Sequence, residues 1–510
     1  MGFTKITDTN TSANGANKVY VDGPSSTFGE LKIISNVPQA QGDFVYGINK
    51  QIFTTSSFDG GTVSVTDGLC VLESGVNETG SATVQLRRNL KYRPGQGSLM
   101  RGTAIFDTPD ANNAQFIGAG SAESGYFIGY FGGYFGILHN QKAQREVRKV
   151  NITTGAGTEN VTVTLNGNSI VVPVTGGSDT TQTAYQLTIA DYSQIGDGGW
   201  LVDVVGSDVY FISARAAEGL DGTYSVSGPS ILGTFSQVKD GTAATTTFIP
   251  SSSFNKDTLD GYGPSEMVLD PTKGNVYGIQ FQYLGFGDAN FEIEDPNTGK
   301  FFDFHIIKNA NSRIIPVLKN PNTSVLVTSA NTGGTTNKTV KVGSLAAFTE
   351  GNVVALDPKF SHSFLISSVS TSSTYKPLGA IKVNRIFNNE SCFGEIDLLN
   401  ISLANTVNNK YYSIGFFRDF RISGDVNYQY VNETDSIASI ATLDPATNTI
   451  SNLANIKPFY EVTIGGDQSK TIDLSDLKFT FGLGRGEVLF AIKGNGSVTG
   501  DFIINWFEQQ

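Results

Sequence analysis

Few side chains in this sequence are suited to acid–base or metal chemistry. It has three histidines, His139, His305 and His362. None has a second histidine or a carboxylate at the spacing of a metal motif. His139 follows a run of Phe, Gly, Ile and Leu, His305 sits in Phe304-His305-Ile306-Ile307, and His362 lies between serines. Each reads as a structural histidine. There is no Gly-X-Ser-X-Gly elbow and no phosphate loop. The two cysteines, Cys70 and Cys392, are too far apart for a disulfide framework or a zinc motif to be read from them. They read as small buried apolar residues.

Carboxylates offer more. Asp257 and Asp260 lie in Asn255-Lys-Asp-Thr-Leu-Asp-Gly-Tyr-Gly, with Asp270 further on. A pair so close on a loop is a candidate for a structural calcium ion that orders the turn. Glu292, Glu294 and Asp295 lie in Phe291-Glu-Ile-Glu-Asp-Pro296. Strand alternation puts Glu292 and Glu294 on one face and Ile293 on the other. Two carboxylates flanking a bond are what a glycosidase needs. The plainer reading, the wet face of an amphipathic strand, is preferred. Aromatics beside Asn and Asp can stack on sugar rings, and Tyr126, Tyr262 and Trp200 are the glycan-binding candidates. Core packing is the preferred reading of each. The expectation is no catalytic residue, no enzyme, and no cofactor beyond such a calcium ion.

The elements that must carry these residues are strands. Short runs alternate apolar and polar residues and end at Gly, Asn or Asp. Val161-Thr-Val-Thr-Leu165, Asn166-Gly167 and Ser169-Ile-Val-Val172 spell a hairpin, because Asn-Gly accepts the positive φ angles of a two-residue turn. Tyr126–Phe131, Gly132-Gly133 and Tyr134–Leu138 spell a second. Pro94 and Gly95 mark a turn in Tyr92-Arg-Pro-Gly-Gln-Gly97, and Asp270-Pro-Thr-Lys-Gly274 marks another. With 58 glycines, the fold class is all-β, a multi-domain β-sandwich or jelly roll. One helix is expected, over Thr180–Tyr192, with Ala184, Leu187 and Ala190 on its buried face and Thr180 or Thr181 as its cap.

A chain of 510 residues exceeds one hydrophobic core. Residues 1–45 read as a polar N-terminal arm. Residues 46–147 and 250–320 carry large aromatics, among them Phe106, Tyr277, Phe281, Phe291 and Phe304. They read as one split sandwich. Residues 148–249 read as a small inserted α+β module, 321–374 as connecting strands, and 375–510 as a C-terminal sandwich. No fixed-period repeat suggests a propeller or solenoid.

Charged residues make up 16% of the chain, against a usual ~25%, so Ser, Thr, Asn, Gln and Gly cover much of the surface. The net charge is −12. The basic groups Arg87, Arg88, Lys91 and Arg93, and Arg145, Arg148 and Lys149, are too short for a nucleic-acid face, so none is expected as a partner. No run of ~18 apolar residues spans a membrane. No apolar leader follows Met1, so the expected history is folding in a host cytoplasm and then assembly.

Eight segments stand out together: Leu90-Lys-Tyr-Arg-Pro-Gly-Gln-Gly97, Arg101-Gly-Thr-Ala-Ile-Phe106, Gln115-Phe-Ile-Gly-Ala-Gly120, Gly125-Tyr-Phe-Ile-Gly-Tyr130, Phe254-Asn-Lys-Asp-Thr-Leu-Asp260, Met267-Val-Leu-Asp-Pro-Thr-Lys-Gly-Asn-Val-Tyr277, Phe281-Gln-Tyr-Leu-Gly-Phe-Gly287 and Asn505-Trp-Phe-Glu508. In this combination the chain resembles a family of uncharacterised virion-associated proteins of marine tailed phages and large DNA viruses. The inserted segment separately resembles small modules of phage tail proteins. The resemblance implies a lectin-like, concanavalin-type first sandwich and no catalytic residues. The expected role is a virion structural protein: fibre, spike, decoration or minor capsid component. Its expected partners are other copies of itself, a trimer by analogy with viral fibres, and other virion proteins. Host attachment through a surface glycan is the alternative, and a polysaccharide depolymerase the third reading.

Overall fold

The computed structural model describes residues 9–11, 17–19, 36–155, 157–176, 179–196, 198–219, 221–351, 357–475, 480–481 and 486–509. Its first body is a sandwich of two antiparallel sheets. The seven-stranded sheet runs in the order Thr245–Pro250, Tyr134–Gln141, Gly125–Phe131, Asn113–Gly120, Ser324–Asn331, Ser81–Leu86, Phe53–Phe58. The six-stranded sheet runs Phe301–Ile307, Ala289–Glu294, Asn275–Phe281, Gly97–Ala104, Ser344–Glu350, Asn36–Asp43. Ile117, Tyr126 and Ile128 of the first meet Tyr277, Ile279 and Phe291 of the second in one core. Burying such side chains contributes ~1.5–3 kcal/mol each. A small three-stranded sheet, Thr339–Val342, Leu69–Glu73 and Thr62–Thr66, adds Leu72 and Val340 to that core.

Strands from 46–147 and 250–320 share these sheets, and two further segments join them. Ser324–Asn331 is not a connector: it sits between Asn113–Gly120 and Ser81–Leu86, with Leu326 facing both Gly118 and Gln85. Its backbone pairs on both edges, and its alternation sends Val325 and Val327 into the core. Asn36–Asp43 ends the stretch read as an arm, yet it pairs with Ser344–Glu350 as an edge strand. Thr9–Thr11 pairs with Asn17–Val19; the other residues of the 1–45 arm before Asn36 lie outside the described residues.

The module begins at Arg145. Arg145–Gly155, Asp208–Ala216, Trp200–Val205 and Ile231–Lys239 form one sheet; Gly157–Leu165, Asn168–Gly176 and Gly222–Val226 form another. Asn166 and Gly167 take φ values of 46° and 78°, as the Asn-Gly turn requires. The helix is shorter than the periodicity suggested, Thr180–Leu187, because Thr188 closes it. Asp179, not a threonine, caps it, its Oδ1 accepting from the Thr181 N–H. Thr245–Pro250, placed in the module from sequence, is the edge strand of the seven-stranded sheet.

The third body packs Lys359–Ser370, Ser497–Gln509, Glu395–Asn405 and Gln468–Asp473 against Gln429–Tyr430, Ala438–Thr442, Lys376–Val383, Glu487–Gly494, Tyr412–Phe417 and Tyr460–Ile464. Phe364, Phe416, Phe490 and Phe502 fill its centre. The chain is thus all-β, built of packed antiparallel sheets, with one short α-helix among the described residues. Among the described residues no helix is long and apolar enough to cross a membrane.

Candidate functional site

The three glycan candidates do not come together. Tyr126 is wholly buried. It occupies an inward position of its strand with Ile128 and Tyr130, its ring stacks on His139 at 4.4 Å, and its hydroxyl accepts from Asn309 Nδ2. Trp200 is buried in the module core beside Tyr192 and Phe211. Parity decides both cases: large rings on the inner face of a sheet are core. Neither side chain can reach a sugar in this fold. Tyr262 is different, at 95% exposure. It projects from a loop between Asp257 and Val268.

That loop explains its two aspartates. Asp257 is buried and accepts the N–H groups of Leu259 at 2.9 Å and Ser265 at 2.8 Å. Asp260 accepts from the Tyr262 N–H and the Thr258 hydroxyl, and these bonds hold its carboxyl below the usual carboxylate range. The carboxylates order the turn through backbone donors. Among the described residues no group of three or more His, Cys, Asp or Glu side chains gathers as a metal site would. Glu292 and Glu294 lie on the outer face of the six-stranded sheet, opposite Asp303 and Phe301, with Ile293 in the core.

The histidines are structural in their contacts. His139 Nε2 faces the Val317 carbonyl at 2.9 Å, His305 Nδ1 accepts from the Asn255 N–H, and His362 meets the Phe364 ring edge-on. Burial pushes His139 and His305 down to about 4. Cys70 is buried as expected, whereas Cys392 is half-buried; burial drives both thiols up to about 12.

The basic groups tie bodies together. Lys91 Nζ lies 2.5 Å from Asp397 and 3.5 Å from Glu395. Asn89 donates its N–H to Glu395 and its amide to the Phe393 carbonyl. Burial raises Glu395 above its ordinary value against the pull of Lys91. For Asp397, the Lys91 ammonium and the Thr480 hydroxyl overcome burial and lower it. Lys382 of the third body pairs with Asp203 of the module. Buried Glu123 accepts from the Arg145 N–H, from Lys319 and from the Ser391 hydroxyl, so residues of all three bodies converge on it. Sequence reading missed this junction, because its partners are remote: Lys91 and Asp397 stand 306 positions apart.

A second feature also escaped the sequence. At the Asn36–Asp43 edge of the six-stranded sheet, the last strand among the described residues, a groove of about 730 Å³ runs between Asn36–Asp43, Ser344–Ala346 and the loop 44–52. Ser344 pairs with Asp43 and Ala346 with Gln41, which puts these four on one face, while Leu345 enters the core. Phe44 is buried and stacks on Phe53 at 4.5 Å. Gly47 turns the chain at φ 99°, its N–H on the Phe44 carbonyl. Between those anchors Tyr46 is 100% exposed. The signal was Phe-Val-Tyr-Gly, an apolar run ending at a turn with only one of its rings placed to be buried.

No family model matches the chain, and no curated protein does. Among solved structures, the Emp47p carbohydrate recognition domain is 9% identical with a TM-score of 0.23, covering 62% of this chain and 97% of that one. The alginate lyase Aly36B is 10% identical, TM-score 0.21, covering 61% and 97%. A Lotus tetragonolobus seed lectin is 8% identical, TM-score 0.22, covering 62% and 100%. What these proteins bind or cleave stays with them.

Proposed function

We propose that this chain is a non-catalytic structural component of a virus particle, a fibre, spike, decoration or minor capsid subunit, working as a homo-oligomer. One observation supports this above others: buried charges join the two sandwiches and the module to one another. Lys91, Glu395, Lys382, Asp203 and Glu123 are all withdrawn from water at boundaries between bodies. Such pairs cost desolvation and add little net stability, and their value lies in fixing one arrangement. A rigid body with a weakly charged surface suits symmetric packing.

The test is the particle itself. Mass spectrometry of purified virions should find the chain at fixed stoichiometry, and light scattering of the recombinant protein should give a mass above the monomer's. Presence only in the lysate of infected cells, with none in particles, would sink the reading.

Host attachment through a glycan is the second reading, supported by exposed tyrosines on hydrogen-bonded loops, Tyr262 and Tyr46. Depolymerase activity keeps Glu292 and Glu294 as its only pair. Polysaccharide cleavage that survives Glu292→Gln and Glu294→Gln removes them from that role.

A further inference from the structure

We infer that the groove at the edge of the six-stranded sheet is a binding site for an uncharged oligosaccharide, with Tyr46 as its stacking platform. The inference rests on the attachment reading, not on the particle role.

The first argument is the tyrosine. A ring at 100% exposure forgoes the stabilisation that burial would give. A lone exposed ring on a floppy segment would need no explanation. This one stands on a loop fixed at both ends, by the Phe44–Phe53 stack and by the Ile52 and Phe53 N–H groups, which both donate to the Asn49 carbonyl. A tyrosine on such a loop offers a flat amphipathic face and, with only two χ angles, loses little side-chain freedom on binding.

The second argument is the groove that the Tyr46 loop borders. A volume of about 730 Å³ lies within the ~300–1,000 Å³ of small-molecule sites. Gln41, Asp43, Asn49 and Ser344 line it. They present amide and hydroxyl donors together with amide and carboxylate acceptors, the mixture that paired hydroxyls of a sugar require. The apolar part of the lining, Ile52 and Ala346, suits the C–H faces of a pyranose.

The third argument is charge. Among the described residues lining the groove, Asp43 carries the only charge, and it is negative. Its Oδ1 accepts from the Val45 N–H, which keeps it in place. With the chain at −12 overall, a sialylated or uronate glycan would meet repulsion with no cation in the lining to offset it. The ligand class is therefore neutral hexose and N-acetylhexosamine chains.

The experiment is an array of neutral, sialylated and uronate oligosaccharides probed with the full chain and with Tyr46→Ala, Asp43→Lys and Tyr262→Ala. Tyr46 touches no core, so Tyr46→Ala should melt like the parent, which separates lost binding from lost folding. The expected result is binding to neutral glycans, weakened ~10-fold or more by Tyr46→Ala, the effect of losing about 1.4 kcal/mol, and unchanged by Tyr262→Ala. Asp43→Lys should shift the preference toward acidic glycans. Neutral-glycan binding that ignores Tyr46→Ala but falls with Tyr262→Ala overturns the groove and leaves attachment standing. A preference for acidic glycans in the parent overturns the assigned class. Binding to no glycan at all overturns the groove and the attachment reading together.

Discussion

Lys382 and Asp203 come from different bodies and face each other almost without water, at 3% and 7% side-chain exposure. Lys382 also donates to the Val204 carbonyl and lies over the Tyr428 ring, 4.8 Å from its centre. Asp203 Oδ2 accepts the Arg385 N–H at 2.7 Å. Next to the pair, the Gly206 N–H donates to the Tyr428 carbonyl, so the charges sit inside a patch of backbone contact.

Removing one charge should therefore cost more than the pair contributes. Lys382→Met leaves Asp203 buried with backbone donors but no cation, and is expected to destabilise by about 3 kcal/mol. Asp203→Asn in the same chain keeps the acceptor for Arg385 and removes the stranded charge. The double variant should recover at least half of the loss. Urea melts of the single and double variants measure this. Additive losses would mean that the two groups do not act as a pair.

His139 gives the first sandwich a pH dependence. Its Nε2 is set against the Val317 carbonyl, which places the hydrogen there and leaves Nδ1 as the lone-pair nitrogen. Nδ1 is buried and has no acceptor to receive a second proton's N–H. Burial, opposed by the Val317 bond and helped by Arg313, holds the ring at about 4 against 6.5. The folded state therefore binds fewer protons than the unfolded chain between those values. Stability from this group is complete above about 6.5 and is lost as pH falls toward about 4. The difference of some 2.5 units corresponds to on the order of 3 kcal/mol. His305, pushed down by burial in the same way, adds to the slope. Melting midpoints measured from pH 7.5 to 4.5 should fall, and His139→Gln, which cannot titrate, should flatten the curve. A slope unchanged in that variant would remove His139 as its source.

The parts of this fold that could be read from the chain are those fixed within a few residues. Gly132 and Gly133 gave a turn at φ 58° and 86°, with Phe131 opposite Tyr134. Asp270 and Pro271 gave a turn closed by the Lys273 N–H on the Asp270 carbonyl. What alternation does not show is which side of a sheet is inside, and that is why Tyr126 stood as a sugar-stacking candidate beside its preferred reading as a core ring. Nor does it show whether a polar strand has neighbours on one edge or two, which hid the place of Ser324–Asn331. Lys91 looked like part of a small basic group because the carboxylates that neutralise it belong to another body. Tyr46 was missed for a different reason: residues 36–45 seemed to end an arm, so the loop they lead into had no sheet edge to stand on.

The sheet's outer face offers a test of how closely its strands are fitted. Gly118 lies opposite Phe127 on one side and Leu326 on the other. A methyl group at Gly118 would come 2.1 Å from the Tyr126 carbonyl oxygen and 2.6 Å from the Phe127 ring. The first of these is backbone in a central strand and cannot move aside without shifting the ladder. Gly118→Ala should cost about 3 kcal/mol. Gly132 is the control: a methyl there meets nothing within 4 Å, but its φ of 58° is left-handed. Gly132→Ala should cost only ~1 kcal/mol, all of it conformational. Thermal melts of the two variants should rank Gly118→Ala as clearly the less stable. The reverse order would mean that the strands Asn113–Gly120 and Gly125–Phe131 do not pair in this register, and the core positions of Ile117 and Ile128 would have to be reassigned with them.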